Sequence, residues 1–268
     1  MNKIFLVCAL FLTFSFANTL DDIRKAGVVR IGVATGWAPF SKQNEDGSFE
    51  GFEILFAKEL ANSIFEGSSG KVEFVGMSVA QRIGALEQNK VDMVIWGFTM
   101  TPERRAVIDF STPYFSMNLA VLTKKGDKVT NLSDIRDKKI AAVKGGVPEE
   151  YFSNKGYNMV SCAAEKDCYR MLKEGKVDAY ADDNLIVFIY PLIDEEVEVN
   201  IKSVGSTYFF GIGVQKGNDS LRKFLDQNLI RLSKDGFFKK AYAETFEPFY
   251  KGTVDRKYFL LDDLYSFL

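Results

Sequence analysis

Not one of the 268 residues is a histidine. Ser-His-Asp triads, Cys-His nucleophile pairs, His-ligated zinc and HExxH sites all need an imidazole, so most familiar hydrolase chemistry is excluded. A basic excess is missing too. The 34 Lys and Arg residues are balanced by 36 Asp and Glu, net charge -2, which leaves nothing to drive binding along a phosphate backbone, and no nucleic-acid partner is expected. At 47% hydrophobic and 26% charged, the chain lacks the bias of a disordered, collagenous or coiled-coil sequence. Its length allows one or two globular domains, each with a buried core.

Long apolar runs are absent after the first one. Lys3, an apolar stretch over residues 4–14 and the small-residue exit Ser15-Phe16-Ala17 have the layout of a secretory signal peptide spanning residues 1–17. The stretch is shorter than the roughly 20 apolar residues of a spanning helix. A soluble product outside the cytoplasm is therefore expected. Cleavage would remove Cys8 and leave Cys162 and Cys168. In an oxidising compartment such an even pair reads as a disulfide, with two reduced buried thiols as the alternative.

The remaining sequence alternates strand-like and helix-like patterns, which predicts an α/β fold. Residues 28–34 form a β-rich run. Residues 52–65 place Ala57, Leu60, Ala61 and Ile64 on one helical stripe. Strands are expected at 72–75 and 91–96, and Ser78 with Gln81 has capping-box spacing ahead of a helix carrying Ile83 and Leu86. The scheme then repeats. Leu86-Glu-Gln-Asn-Lys-Val-Asp92 matches Leu172-Lys-Glu-Gly-Lys-Val-Asp178, and Arg30-Ile-Gly-Val matches Lys139-Ile-Ala-Ala-Val in the same order. Two lobes on one plan are expected, joined without a flexible linker and hence by a hinge.

Candidate site residues cluster after strands, because ligands of α/β sheets bind beyond the carboxyl ends of strands. Gly97, Thr99 and Arg104 lie in Gly97-Phe-Thr-Met-Thr-Pro-Glu-Arg104-Arg105; a guanidinium there suits a carboxylate, although the same residues also read as a plain Thr-Pro-Glu helix start. Lys144-Gly145-Gly146-Val147-Pro148 occupies the equivalent turn of the second half, a possible anion cradle or simply a Gly-rich turn with Pro at a helix start. Asp182 and Asp183 end the next strand and could take an ammonium; strand alternation predicts that only one of them faces the cleft. Without histidine or further paired acids, no metal and no cofactor are expected. Trp37, just past the first strand, could offer an aromatic face.

These residues together carry a resemblance. Trp37-x-Pro-Phe40, the Gly51-Phe-Glu-Ile54 helix, Lys90-Val-Asp92, Gly97 to Arg104 with Asp109-Phe-Ser-Thr-Pro-Tyr-Phe115, the Gly145-Gly146 turn, Val177-Asp178 to Asp183 and Gly211-Ile-Gly-Val214 closely resemble the extracytoplasmic solute-binding proteins, family 3, of polar amino acid ABC transporters. The resemblance spans nearly the whole chain after residue 17. It implies a two-lobed periplasmic binding protein clamshell, type II-like, with a two-strand hinge. Lobe 1 would comprise residues 18–116 plus 210–268, and lobe 2 residues 117–209. It implies a protein, not an enzyme, that captures a polar amino acid and delivers it to an inner-membrane ABC permease, acting as a monomer. Arg104 would pair with the ligand α-carboxylate, Gly97 and Thr99 would bind its α-amino and carboxylate groups, and Asp183 would accept the α-ammonium. Gly146 and Val147 would add backbone donors beside Lys144, and Trp37 would stack on the ligand. Many relatives have Thr where Val147 stands, and Pro148 has no N–H. The tail 248–268 exceeds that of many relatives.

Arg82, about one turn into a helix near the cleft rim, would favour a second carboxylate, so acidic or small polar amino acids are expected over lysine or arginine. Two other functions share the scaffold: an enzyme like the cyclohexadienyl dehydratases, and a sensor input module.

Overall fold

The computed structural model describes residues 18–66, 69–254, 256, 259–261 and 265. The expected signal peptide lies outside them.

Strand formation follows the β-branched runs. Val28–Val33 pairs in parallel with Lys71–Gly76 on one side and with Met93–Val94 on the other. Gly213–Gln215 then joins antiparallel to Met93–Val94, and Ile108–Phe110 antiparallel to it. The second sheet has the same plan: Lys139–Val143 is parallel to Asn158–Cys162 and Ala179–Asp183, and Phe115–Lys124 and Val197–Phe210 follow antiparallel. Sheet interiors covered by helices on both faces read as near-continuous apolar runs, which is why residues 91–96 look like one strand in the sequence. All six are buried, but the strand itself is Met93–Val94.

The repeated Lys-Val-Asp string has a physical purpose. In the first sheet the Asp92 N–H donates to the Arg30 carbonyl (2.9 Å) while its carboxylate accepts the Arg30 N–H (2.7 Å). In the second, the Asp178 N–H donates to the Lys139 carbonyl (2.9 Å) and its carboxylate accepts the Lys139 N–H (2.8 Å). One acid at each helix-to-strand turn thus starts the ladder by satisfying two backbone groups. The turns reverse through left-handed residues, Asn89 (φ 53°) in one and Gly175 (φ 72°) in the other.

The chain passes between the sheets after Ile108–Phe110 and again after Val197–Phe210. The Asp109-Phe110-Ser111 block secures these crossings. Asp109 binds the Lys216 ammonium and Gly217 N–H (both 2.7 Å), and the Ser111 hydroxyl accepts the Ile212 N–H (2.9 Å). Beside them Phe40, Phe52, Phe115, Phe210 and Phe246 pack mostly edge to face, with centroids 4.9–6.4 Å apart. Such pairs add about 0.5–1.5 kcal/mol each beyond area burial. Part of the tail closes over this cluster: the Phe259 carbonyl accepts the Ser116 N–H at 2.8 Å, and Tyr265 donates to the Pro113 carbonyl at 2.6 Å.

The Phe52–Phe65 helix matches its expected bounds and buries Ala57, Leu60, Ala61 and Ile64. Its N-cap is Gly51 at φ +122°, where a Cβ would lie 2.4 Å from the Phe40 carbonyl oxygen; glycine is required there. The Ser78–Gln81 capping box is present, on a 3₁₀ turn over Val79–Gln81 that leads into Arg82–Glu87. Cys162 and Cys168 form a disulfide with Cα atoms 5.4 Å apart, joining a strand end to the Glu165–Lys173 helix.

Candidate ligand-binding site

The carboxyl ends of both sheets face one cavity of about 40 Å³. The first sheet's loops contribute Trp37, Arg82, Trp96, Gly97, Thr99 and Arg104. The second sheet's loops contribute Gly146, Val147, Pro148, Glu165, Asp182 and Asp183. Eight of the nine expected ligand-binding residues meet here; Lys144 does not.

Arg104 follows Thr101, whose hydroxyl caps the Pro102–Val107 helix by accepting the Arg104 N–H (3.3 Å). The helix-start and ligand-binding readings are therefore both compatible with the structure. The Arg104 guanidinium is buried, donates to the Thr99 carbonyl (2.9 Å) and crosses to the opposite sheet's Gly145 carbonyl (3.2 Å). Burial lowers its pKa, partly countered by Glu150 and Asp183.

Arg82 is not at a rim. It is 5% exposed, its Nε donates to Val79 O (3.0 Å), and its Nη1 donates to Trp96 O (3.1 Å) and Gly97 O (3.3 Å). The cation sits 4.5 Å above the Phe98 ring centre, and burial brings its pKa down to about 9. It is the first residue of the Arg82–Glu87 helix, directly after a 3₁₀ turn, and not one turn into the helix as the sequence suggests.

Trp37 stacks on Phe40 at 4.0 Å, and its opposite edge meets Gly97. A Cβ on Gly97 would lie 2.4 Å from Trp37 Cη2, and Gly97 has φ +43°. Glycine at 97 thus serves both the turn and the close ring contact.

Asp182 and Asp183 both line the cavity, so the expectation that one alone would face it is corrected. Alternation holds up to the strand end: Asp182 accepts the hydroxyl of Tyr180, two residues back, whereas Asp183 accepts that of Tyr208. The chain then turns into Asn184–Phe188, and the Asp183 N–H donates to Asp182 Oδ1 (2.8 Å), curling both carboxyls toward one space. Burial raises the pKa of Asp183 to about 6 and that of Asp182 well above the carboxylate range, the latter also through its neighbour's charge. Burial raises Glu165 as well.

Gly146 does not offer its N–H, which bonds Val143 O (3.0 Å); Val147, at the first helical position, has no intrahelical acceptor for its own. Lys144 is exposed and borders, with Ala80, Gly145 and Glu149, a second groove that shares Arg82 and Arg104 with the cavity. Gly145, at φ +74°, turns the chain immediately after it. Sequence reasoning also passed over Trp96, Glu165 and Tyr208. Glu165 follows a strand end and was reachable by the rule that found Asp183; Tyr208 meets Asp183 from a distant strand, a pairing with no local signal.

The family model of bacterial extracellular solute-binding proteins, family 3, matches residues 29–248. The chain belongs to this family. A glutamine-binding protein of an ABC transporter from Bacillus subtilis is 30% identical, the match covering 85% of this chain and 84% of that one. Among solved structures, a cysteine-binding protein from Campylobacter jejuni is 32% identical with a TM-score of 0.86, covering 91% of this chain and 99% of that one. A solute receptor for L-cysteine of Neisseria gonorrhoeae is 31% identical with the same TM-score, covering 90% and 99%. The two-lobed α/β architecture of the family is the one built by the two sheets. Among the described residues no helix is long and apolar enough to cross a membrane.

Proposed function

We propose that this chain is an extracytoplasmic receptor that captures a small polar amino acid by its zwitterionic head and hands it to an inner-membrane ABC permease. The observation carrying this reading is the division of charge. Buried Arg104 and buried Asp183 line one cavity from different sheets. The α-carboxylate pairs with Arg104 and the Val147 N–H, and the α-ammonium with Asp183, the Thr99 hydroxyl and the Gly97 carbonyl. Charged hydrogen bonds contribute about 1.5–3 kcal/mol each, so three or four supply the roughly 8 kcal/mol of a micromolar complex. Lobes near residues 18–116 plus 210–268 and 117–209 close about the two crossings.

Arg82 is already engaged by three carbonyls and has Glu165 and Asp183 near it, which moves the preference from acidic toward small neutral ligands; the relatives that bind cysteine support this choice. Release to the periplasm by the 1–17 signal and a monomeric state complete the reading.

Asp182 and Glu165, whose carboxyls burial pushes upward, could instead serve acid chemistry in a dehydratase-like site. Product formation from prephenate or arogenate distinguishes that reading. The primary test uses the chain's two tryptophans, Trp37 and Trp96, which both line the cavity. L-cysteine or another small polar amino acid should change their fluorescence saturably. Folded protein that responds to no amino acid would overturn the proposal.

A further inference from the structure

Glu53 has no part in the proposed ligand contacts, yet it is completely buried one layer beneath them. Its position follows from Gly51. The positive-φ cap lets the helix start tightly against the Pro39 and Phe40 carbonyls, which accept the Phe52 and Glu53 N–H groups at 2.9 and 2.8 Å. The side chain is thereby directed inward. Its Oε1 accepts the Gly97 N–H (2.8 Å) and the Tyr114 hydroxyl, whereas its Oε2 is buried with no hydrogen-bond partner.

The same peptide unit is gripped at its other end. The Trp96 carbonyl accepts Arg82 Nη1 at 3.1 Å while the adjoining Gly97 N–H donates to Glu53. One buried base and one buried acid thus fix the plane of a single peptide, and that peptide joins Trp96 to Gly97, two walls of the cavity. A neutral apolar residue at 53 would pack more cheaply, since an ionised carboxyl loses its hydration on burial. The arrangement spends stability on geometry, a pattern typical of functional sites.

We propose that Glu53 is a positioning residue for ligand binding, acting with Arg82 as opposed clamps on the Trp96–Gly97 peptide. The link to affinity rests on the amino-acid reading above; the clamp itself does not. The charged and titratable groups facing Glu53 are Tyr114 and Arg82, and burial raises its carboxyl to about 7. For an acid raised on folding, the native state holds a proton that the unfolded chain has lost. Its contribution therefore declines as pH rises from about 4.5 to 7, and ionised Glu53 costs stability above that.

The test compares wild type with Glu53→Gln, Glu53→Leu and Tyr114→Phe. Without ligand, Glu53→Gln should melt higher than wild type at pH 8 and equally at pH 5. Glu53→Leu should speed amide exchange at Gly97 at least tenfold. With L-cysteine as probe and tryptophan fluorescence as readout, Glu53→Leu should weaken binding at least tenfold, Tyr114→Phe less, and Glu53→Gln should stay within threefold because an amide oxygen still accepts the Gly97 N–H. A Glu53→Leu protein with normal exchange and affinity would overturn the clamp, as would a Glu53→Gln melting difference that ignores pH. Should Glu53→Leu not fold, the Gln and Phe variants decide by the same criteria. Failure of wild type to bind L-cysteine would count against the ligand reading, while the melting and exchange results would still decide the role of Glu53.

Discussion

The two sheets are near copies in backbone and opposites in charge. Each runs two parallel neighbours about a central strand and adds two antiparallel ones, and each begins its ladder with an aspartate that closes on the first strand's basic residue. Beyond the strand ends they diverge. The first sheet presents Arg82 and Arg104, and the second presents Glu165, Asp182 and Asp183. Repetition of the scaffold with division of the chemistry means that a ligand carrying both charges gains its full set of partners only when the two walls meet. The Arg104-to-Gly145 hydrogen bond, spanning the walls at 3.2 Å, shows them in contact.

The division is broken most severely by Arg104→Ala, expected to lower amino-acid affinity at least a hundredfold while the protein stays folded, as read by calorimetry. The guanidinium is at a helix edge, and its removal empties no apolar core. Asp183→Asn attacks the other wall and should cost about 2–3 kcal/mol of binding, a loss of a charged hydrogen bond. It also sharpens the comparison through pH: wild-type affinity should weaken as pH falls through about 6, where Asp183 takes up a proton, and in Asp183→Asn that component of the profile should be absent.

The shared scaffold can be probed in the same way. Asp92 is buried and binds Arg30 through three hydrogen bonds as well as Asn18, whereas Asp178 is exposed. Asp92→Asn should therefore destabilise by about 2–3 kcal/mol in urea unfolding, and Asp178→Asn by less than about 1 kcal/mol. Equal losses would mean that burial does not distinguish the two turns. Cys168→Ser opens a short loop and should cost about 2 kcal/mol by loop entropy, with the melting temperature as readout.

Much of the scaffold was legible because it is written locally. The helix stripe at 57, 60, 61 and 64, the Ser78 capping box and the doubled Lys-Val-Asp turn each depend on residues a few positions apart. Site residues at strand ends were legible by one positional rule, which brought Gly97, Arg104 and Asp183 to attention. What escaped depended on contacts between distant segments. The burial of Arg82 needs the Trp96 and Gly97 carbonyls fourteen and fifteen residues away, and Asp183 takes its hydroxyl partner, Tyr208, from another strand. Lys144 misled for the opposite reason: it adjoins the right turn, whose next residues Gly146 and Val147 line the cavity, but its own side chain is exposed and stands outside that lining.

The division of charge between the walls is tested most directly by removing each charge from the ligand rather than from the protein. Tryptophan fluorescence titrations would compare L-cysteine with its methyl ester, which lacks the carboxylate, and with 3-mercaptopropionate, which lacks the ammonium. Both analogues should bind at least a hundredfold more weakly than the parent, the ester recovering nothing from Asp183 alone and the acid nothing from Arg104 alone. Binding of either analogue within threefold of L-cysteine would contradict the division of charge.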